Sequence, residues 1–217
     1  RLREAGVERL TLTGGEPTLV KGLERLVVAA RALGFRQVVI QSNALRFAEP
    51  GFAALFEGDA RPDYLLVSFH SHEASVHDGI VGRPGAFPEA VAGIQELLRR
   101  GHEVVLSHVL QRANAGAVLA FVDYVAEHFA SLASQAAGPG AQGALGLSFS
   151  VIAPSGGARA ADIPRFAPLA KSLDGAMRRA RDLGITVHMS EMCGMPRCLL
   201  PDDLDSLLAA QADLQDE

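Results

Sequence analysis

Near-continuous runs of Val, Ile and Leu recur between segments of helical period, and this alternation constrains the chain more than any other feature. Strands are predicted over residues 9–13, 37–41, 64–70, 103–110, 145–152 and 185–189. Continuous apolar runs are what parallel strands covered on both faces require, whereas a half-solvated strand alternates. Between the strands, residues 21–33 place Leu23, Leu26, Val27, Ala30 and Leu33 on one stripe. Residues 88–100 open with Pro88 and direct Val91, Ile94, Leu97 and Leu98 inward. Residues 48–56, 117–129, 167–183 and 201–214 read as further helices. Gly34, Gly101 and Gly184 each stand between a helix and the next strand, where a C′ glycine belongs. Repeated strand–helix–strand units are right-handed βαβ crossovers, so the predicted class is α/β with a parallel sheet, open or curled into a barrel.

Bulk properties narrow the partners. A net charge of −5 offers no electrostatic reason to expect nucleic acid. No apolar run was expected to reach the roughly 20 residues of a membrane span. Cys193 and Cys198 are too few for a disulfide framework, which points to a reducing, cytoplasmic setting. The chain starts at Arg1 inside what reads as a helix end, so at least one βα unit is expected upstream, and the chain is read as a fragment.

In parallel α/β folds ligands bind at the carboxyl ends of strands. Those ends carry Gly14-Gly15-Glu16-Pro17, Ser42-Asn43, Ser68-Phe69-His70-Ser71-His72, Ser107-His108, Gln111-Arg112-Ala113-Asn114 and His188. Paired glycines after a strand let backbone approach a ligand closely. A helix start beyond them offers free N–H groups, yet Glu16 suits a cation better than a phosphate. The same turn is also explained as a plain strand-to-helix connection whose acid complements the helix dipole. Ser42, Asn43 and Asn114 are open to a second explanation too, as caps of the following turns.

Leu12-Thr13-Gly14-Gly15-Glu16-Pro17 at a strand end resembles the GGEP motif of the radical S-adenosylmethionine (radical SAM) enzymes. Ile40-Gln41-Ser42-Asn43 is similar to the next step of that family, with Ser and Ala where Thr and Gly are usual. Val67-Ser68-Phe69-His70, the run from His77 to Phe87, and Val109–Asn114 resemble the segments that follow. The resemblance implies a partial TIM-type (β/α)6 barrel over residues 1–190 with its first unit missing, and a C-terminal extension over 191–217. It implies S-adenosylmethionine as cofactor together with a [4Fe–4S] cluster held by a CxxxCxxC loop, which this sequence lacks. The cluster ligands are therefore expected outside the chain, and the fragment alone is expected to be inactive. By resemblance, the cluster reduces the cofactor to a 5′-deoxyadenosyl radical that abstracts hydrogen from substrate. Gly14, Gly15, Glu16 and Pro17 would receive the cofactor's ammonium. Ser42, Asn43 and Ser68 would bond its oxygens, Arg112 its carboxylate, and Asn114 would orient the loop. An electron donor such as flavodoxin or ferredoxin is implied, and the substrate, a small molecule or peptide, is not readable.

Rival readings remain. His70 and His72, two residues apart, with His108 and His188 on later strands, could hold zinc as in barrel metallohydrolases; they could equally line a substrate pocket. A non-catalytic binding domain is the outcome if no cluster loop exists. Cys193 and Cys198 could contribute to an auxiliary Fe–S cluster, or be isolated buried thiols.

Overall fold

The computed structural model describes residues 2–137, 145–153 and 158–189. Six strands form one sheet: β1 (Arg9–Leu12), β2 (Gln37–Ser42), β3 (Tyr64–Ser68), β4 (Val104–Leu110), β5 (Leu145–Val151) and β6 (Thr186–Met189). All neighbours are parallel and follow chain order from β1 to β6. The α/β class is as predicted, and the sheet is an unclosed partial barrel of the TIM type. The helices are α1 (Leu23–Ala32), α2 (Ala74–Val81), α3 (Ala86–Arg99), α4 (Val118–Val125), α5 (Ser131–Ala137) and α6 (Phe166–Asp182).

Strand period two assigns the faces. Leu65, Val67, Val104, Leu106, Leu145, Leu147, Phe149, Ile185 and Val187 pack beneath the helices with Leu97, Leu98, Phe121, Val122, Leu173 and Met177. The intervening residues, among them Gln41, Ser68, Ser107, Ser148 and His188, face away from the helices and are half-buried. Only the helix face is the dry wall expected of both; the inner face is polar along one row and open.

Several elements depart from expectation. The segment 72–87, read as a loop, contains α2, which buries only His77 and so shows no apolar stripe. The Asp78 carboxylate accepts from Gly85 N at 2.6 Å and Phe87 N at 2.8 Å, and this starts α3 two residues before Pro88. Instead of a helix over 48–56 there are 3-10 turns at Leu45–Ala48, Ala53–Phe56 and Gly58–Ala60. Pro50 and Gly51 interrupt the helix, while the Phe47, Phe52 and Phe56 rings pack edge-on, with centroids 5.3–5.5 Å apart. β3 stops at Ser68 rather than residue 70. The helix over 117–129 continues through a π-helical turn (Ala126–Ala130) into α5.

That continuous stretch also corrects the expectation about membranes. Ala115–Gln135 is long and apolar enough to cross one by length and composition, with a mean hydropathy of 1.2. Its apolar side is nevertheless committed to the sheet: Val118, Phe121, Val122, Val125 and Phe129 are 0–1% exposed. The extension 191–217, with Cys193, Cys198 and the helix predicted over 201–214, lies outside the described residues.

Candidate functional site

Beyond β1 the chain turns through Gly14 (φ +96°) and Gly15 (φ +49°), both exposed and with nothing within 4 Å of where a Cβ would stand. Positive φ is the reason glycine is needed here. Glu16 then returns to extended backbone and caps the 3-10 turn Pro17–Leu19. Its carboxylate points into the chain. Oε1 accepts from Thr18 N (3.1 Å), Thr18 Oγ1 (2.7 Å) and Ser42 Oγ (2.8 Å), and Oε2 accepts from Asn43 N (2.8 Å). Four donors on one acid bolt the exit of β1 to the exit of β2. The sequence suggested a carboxylate facing a ligand ammonium; the structure engages it internally and leaves the backbone of Gly14 and Gly15 outermost. Pro17 and Thr18 are buried beneath the turn.

At the second exit Ser42, 3% exposed, also accepts from Ala44 N at 3.0 Å, and Asn43 Oδ1 accepts from Leu45 N at 3.1 Å. The capping explanation of both residues is thus realised, and it coexists with their place beside the glycine turn. Ala44 adopts φ +62° and is fully buried. A helix residue unforeseen from sequence holds it there: a Cβ on Gly93 of α3 would fall 2.1 Å from the Ala44 carbonyl oxygen. The signal was a glycine inside an otherwise amphipathic helix.

The exits of β3 and β4 are stitched by Asn114, 2% exposed. Its Nδ2 donates to the carbonyls of His70 (2.8 Å) and Val109 (2.9 Å), and its Oδ1 accepts from Gln111 N (2.8 Å). Asn114 therefore holds the rim through backbone. Arg112 goes elsewhere: its N–H donates to Asp162 O (2.8 Å), its guanidinium reaches Ile163 O (3.4 Å), and with Arg165 it lines an outer cavity of about 330 Å³. It is not brought to the Glu16–Ser42–Asn43 group.

The histidines do not converge. Val109 N donates to His70 Nδ1 (3.3 Å) and His70 N donates to His77 Nδ1 (3.2 Å), so both rings carry their proton on Nε2. His108 Nδ1 must donate to Phe69 O (3.2 Å). Burial lowers His70 to about 4, with the neighbouring His77 adding to the effect, and lowers His108 to about 3. His108 sits on the helix face, 4.0 Å from the Phe121 ring. His72 is half-buried with Nε2 3.7 Å from the Glu73 carboxylate, and His188 lies on the inner face. Among the described residues no group of three or more His, Cys, Asp or Glu could hold a metal. The zinc reading therefore has no ligand set there, and neither has the cluster.

Across the inner face runs a row the sequence reading did not assemble. Ser68 pairs in register with Ser107, Ser107 with Ser148, and Ser148 with His188. Ser107 was read at a strand end without a role and Ser148 was not singled out, although a serine within an apolar strand was the available signal; Ser150 stands two residues further along the same face.

Known proteins give this geometry a context. The family model of the radical SAM superfamily matches residues 1–125. A sporulation killing factor maturation protein of Bacillus subtilis (strain 168) is 32% identical over 127 residues, covering 58% of this chain and 30% of that protein. A probable GTP 3′,8-cyclase of Sulfolobus acidocaldarius is 28% identical over 122 residues, covering 56% of this chain and 38% of that protein. The chain thus spans about a third of the length of these relatives. A domain of a pyruvate-formate lyase-activating enzyme from Bacteroides vulgatus shares the fold, with TM-score 0.58 and 13% identity, over 83% of this chain and 98% of that one. Members of the matched family use S-adenosylmethionine and a [4Fe–4S] cluster. With that family model matched over more than half its length and a partial barrel of parallel strands beneath it, this chain belongs to the radical SAM superfamily.

Proposed function

We propose that this chain is the S-adenosylmethionine-binding core of a radical enzyme. The observation that carries the proposal is the Glu16 carboxylate, which locks the Gly14–Pro17 turn against Ser42 and Asn43 at hydrogen-bond distance. That lock holds two exposed, side-chain-free residues in one orientation at the carboxyl end of the sheet, where a ligand's ammonium can meet backbone carbonyls. Asn43 retains its amide nitrogen and Ser68 its hydroxyl for ribose or carboxylate oxygens. Asn114 positions the adjoining rim. Arg112 is left out of the cofactor set because its guanidinium is directed to Ile163.

When bound with its cluster, S-adenosylmethionine supplies a 5′-deoxyadenosyl radical for hydrogen abstraction. The described residues fit the cofactor but not the cluster, since 217 residues contain only two cysteines and a cluster loop needs three thiolates. His72, half-buried at the rim, and His188, on the inner face, remain available to a substrate, while His70 and His108 are engaged with backbone. We place the enzyme in the reducing cytoplasm, which the low cysteine count supports, and supply its electrons from a flavodoxin- or ferredoxin-type donor, as membership of the family implies.

The test uses the full-length protein purified anaerobically and reconstituted with iron and sulfide. Dithionite and S-adenosylmethionine should yield 5′-deoxyadenosine and methionine. A loaded cluster with no cleavage would overturn the catalytic reading, and retained cofactor binding alone would leave a non-catalytic domain.

A further inference from the structure

The inner-face row has a chemistry of its own. Ser68, Ser107, Ser148 and His188 are direct register partners on four successive strands. Strands lie about 4.8 Å apart, so the row extends roughly 14 Å from Ser68 on β3 to His188 on β6. The row below it, nearer the strand starts, is Leu66, Val105, Gly146 and Thr186; the row above includes Val109 and Ser150. None of these side chains is a carboxylate, a lysine or an arginine. Among the described strand residues of the inner face, the guanidinium is that of Arg9, at the start of β1, where it is engaged with the Tyr64 hydroxyl.

Gly146 is the diagonal neighbour of the imidazole in this wall. A Cβ there would make ordinary contact, 3.5 Å from His188 Nε2 and 3.4 Å from Val105 Cγ2, so the ring lies directly against the inner face. Desolvation keeps His188 below the usual histidine range, so it is neutral near pH 7, with one nitrogen donating and one accepting. Each serine hydroxyl likewise both donates and accepts.

We propose that Ser107, Ser148 and His188 form the substrate wall of the site, and that it takes an uncharged hydrogen-bonding group, such as a peptide amide or a hydroxyl. This rests on the radical reading above and names its substrate class. A wall of neutral donor–acceptor groups satisfies neutral partners reciprocally. A polyanion placed against it would lose its hydration without gaining a cation, which is costly.

The experiment measures equilibrium binding to the full-length, cluster-loaded protein. The probes are acetylated and amidated tripeptides, guanosine and GTP, each with S-adenosylmethionine present. At least one uncharged probe should bind, and His188→Ala and Ser148→Ala should each weaken it about tenfold, while His188→Gln retains most of the affinity. S-adenosylmethionine affinity should change less than twofold in all three variants. Tripeptide and guanosine arms separate the two sources of uncharged ligand. GTP binding more tightly than guanosine, no uncharged probe binding, or indifference to the wall variants would each overturn the proposal. Loss of S-adenosylmethionine binding by the wild-type protein would instead refute the cofactor reading, leaving the probe titrations to judge the wall.

Discussion

Replacing Glu16 by alanine tests the most consequential feature of the site. The substitution removes the acceptor of four hydrogen bonds at 2.7–3.1 Å, two from backbone N–H groups and two from hydroxyls. Hydrogen bonds to a charged group contribute about 1.5–3 kcal/mol each, but these share one carboxylate and are not additive. The Thr18 and Ser42 hydroxyls can rotate toward other acceptors, whereas the N–H groups of Thr18 and Asn43 cannot. Thr18 is fully buried, so water compensates its N–H poorly, whereas the half-buried Asn43 is partly rehydrated. We expect a net loss of about 3 kcal/mol, a large part of the roughly 5–15 kcal/mol a domain possesses. Glu16→Gln should lose about half as much, because its amide oxygen can replace Oε1 while its NH2 confronts Asn43 N–H. Urea denaturation followed by circular dichroism reads this as a lowered midpoint at constant slope. S-adenosylmethionine affinity should fall with it, since the turn is no longer held. If Glu16→Ala instead leaves the midpoint unchanged and weakens only cofactor binding, the acid faces the ligand and the bolt is wrong.

Other contacts of the fold carry expectations of the same kind. Gly93→Ala should destabilise by about 3 kcal/mol or more, because its Cβ meets the Ala44 carbonyl at 2.1 Å and neither backbone can yield without moving the β2 exit; a denaturation midpoint equal to wild type would contradict that contact. Ala44→Gly should change stability by less than about 1 kcal/mol, because relief of a left-handed alanine is offset by the lost buried methyl and the freer unfolded glycine; a melting temperature close to wild type checks this. Stability should also fall with acid. His70 and His102 are lowered to about 4, and His108 to about 3, in each case chiefly by burial. Their unfolded counterparts titrate near 6.5, so as pH drops below 6.5 the unfolded chain binds protons that the folded chain refuses, and several kcal/mol in total are lost by about pH 4. Above 6.5 these groups add no pH dependence; midpoints that do not move between pH 7 and about 4.5 would show the histidines to be accessible in the fold. His102→Leu should reduce the slope, since neither of its buried ring nitrogens has a partner.

The order of the units was legible because each strand and each large helix is encoded locally. Leu23, Val27 and Ala30 form a stripe that needs only the helical period, and α1 buries those three residues. α2 was hidden because one buried histidine gives no stripe to read. Residues 48–56 were read as a helix because Phe52 and Phe56, four apart, imitate a helical period, while Pro50 and Gly51 forbid it. Ser42 and Asn43 were found at a strand exit, but their bond to an acid 26 and 27 residues earlier was not.

What the sequence determined alone is that strands and helices alternate, and that the polar residues gather where strands end. Both follow from hydrophobic period and turn chemistry, which act over a few residues. The tertiary structure alone decided which way side chains point at those ends. It turned the Glu16 carboxylate inward, placed His108 under the helices and His188 on the opposite face, and aligned three serines with that histidine. Those outcomes depend on the register between strands tens of residues apart. A slip of one residue would exchange the faces, and no local pattern in the chain specifies the register.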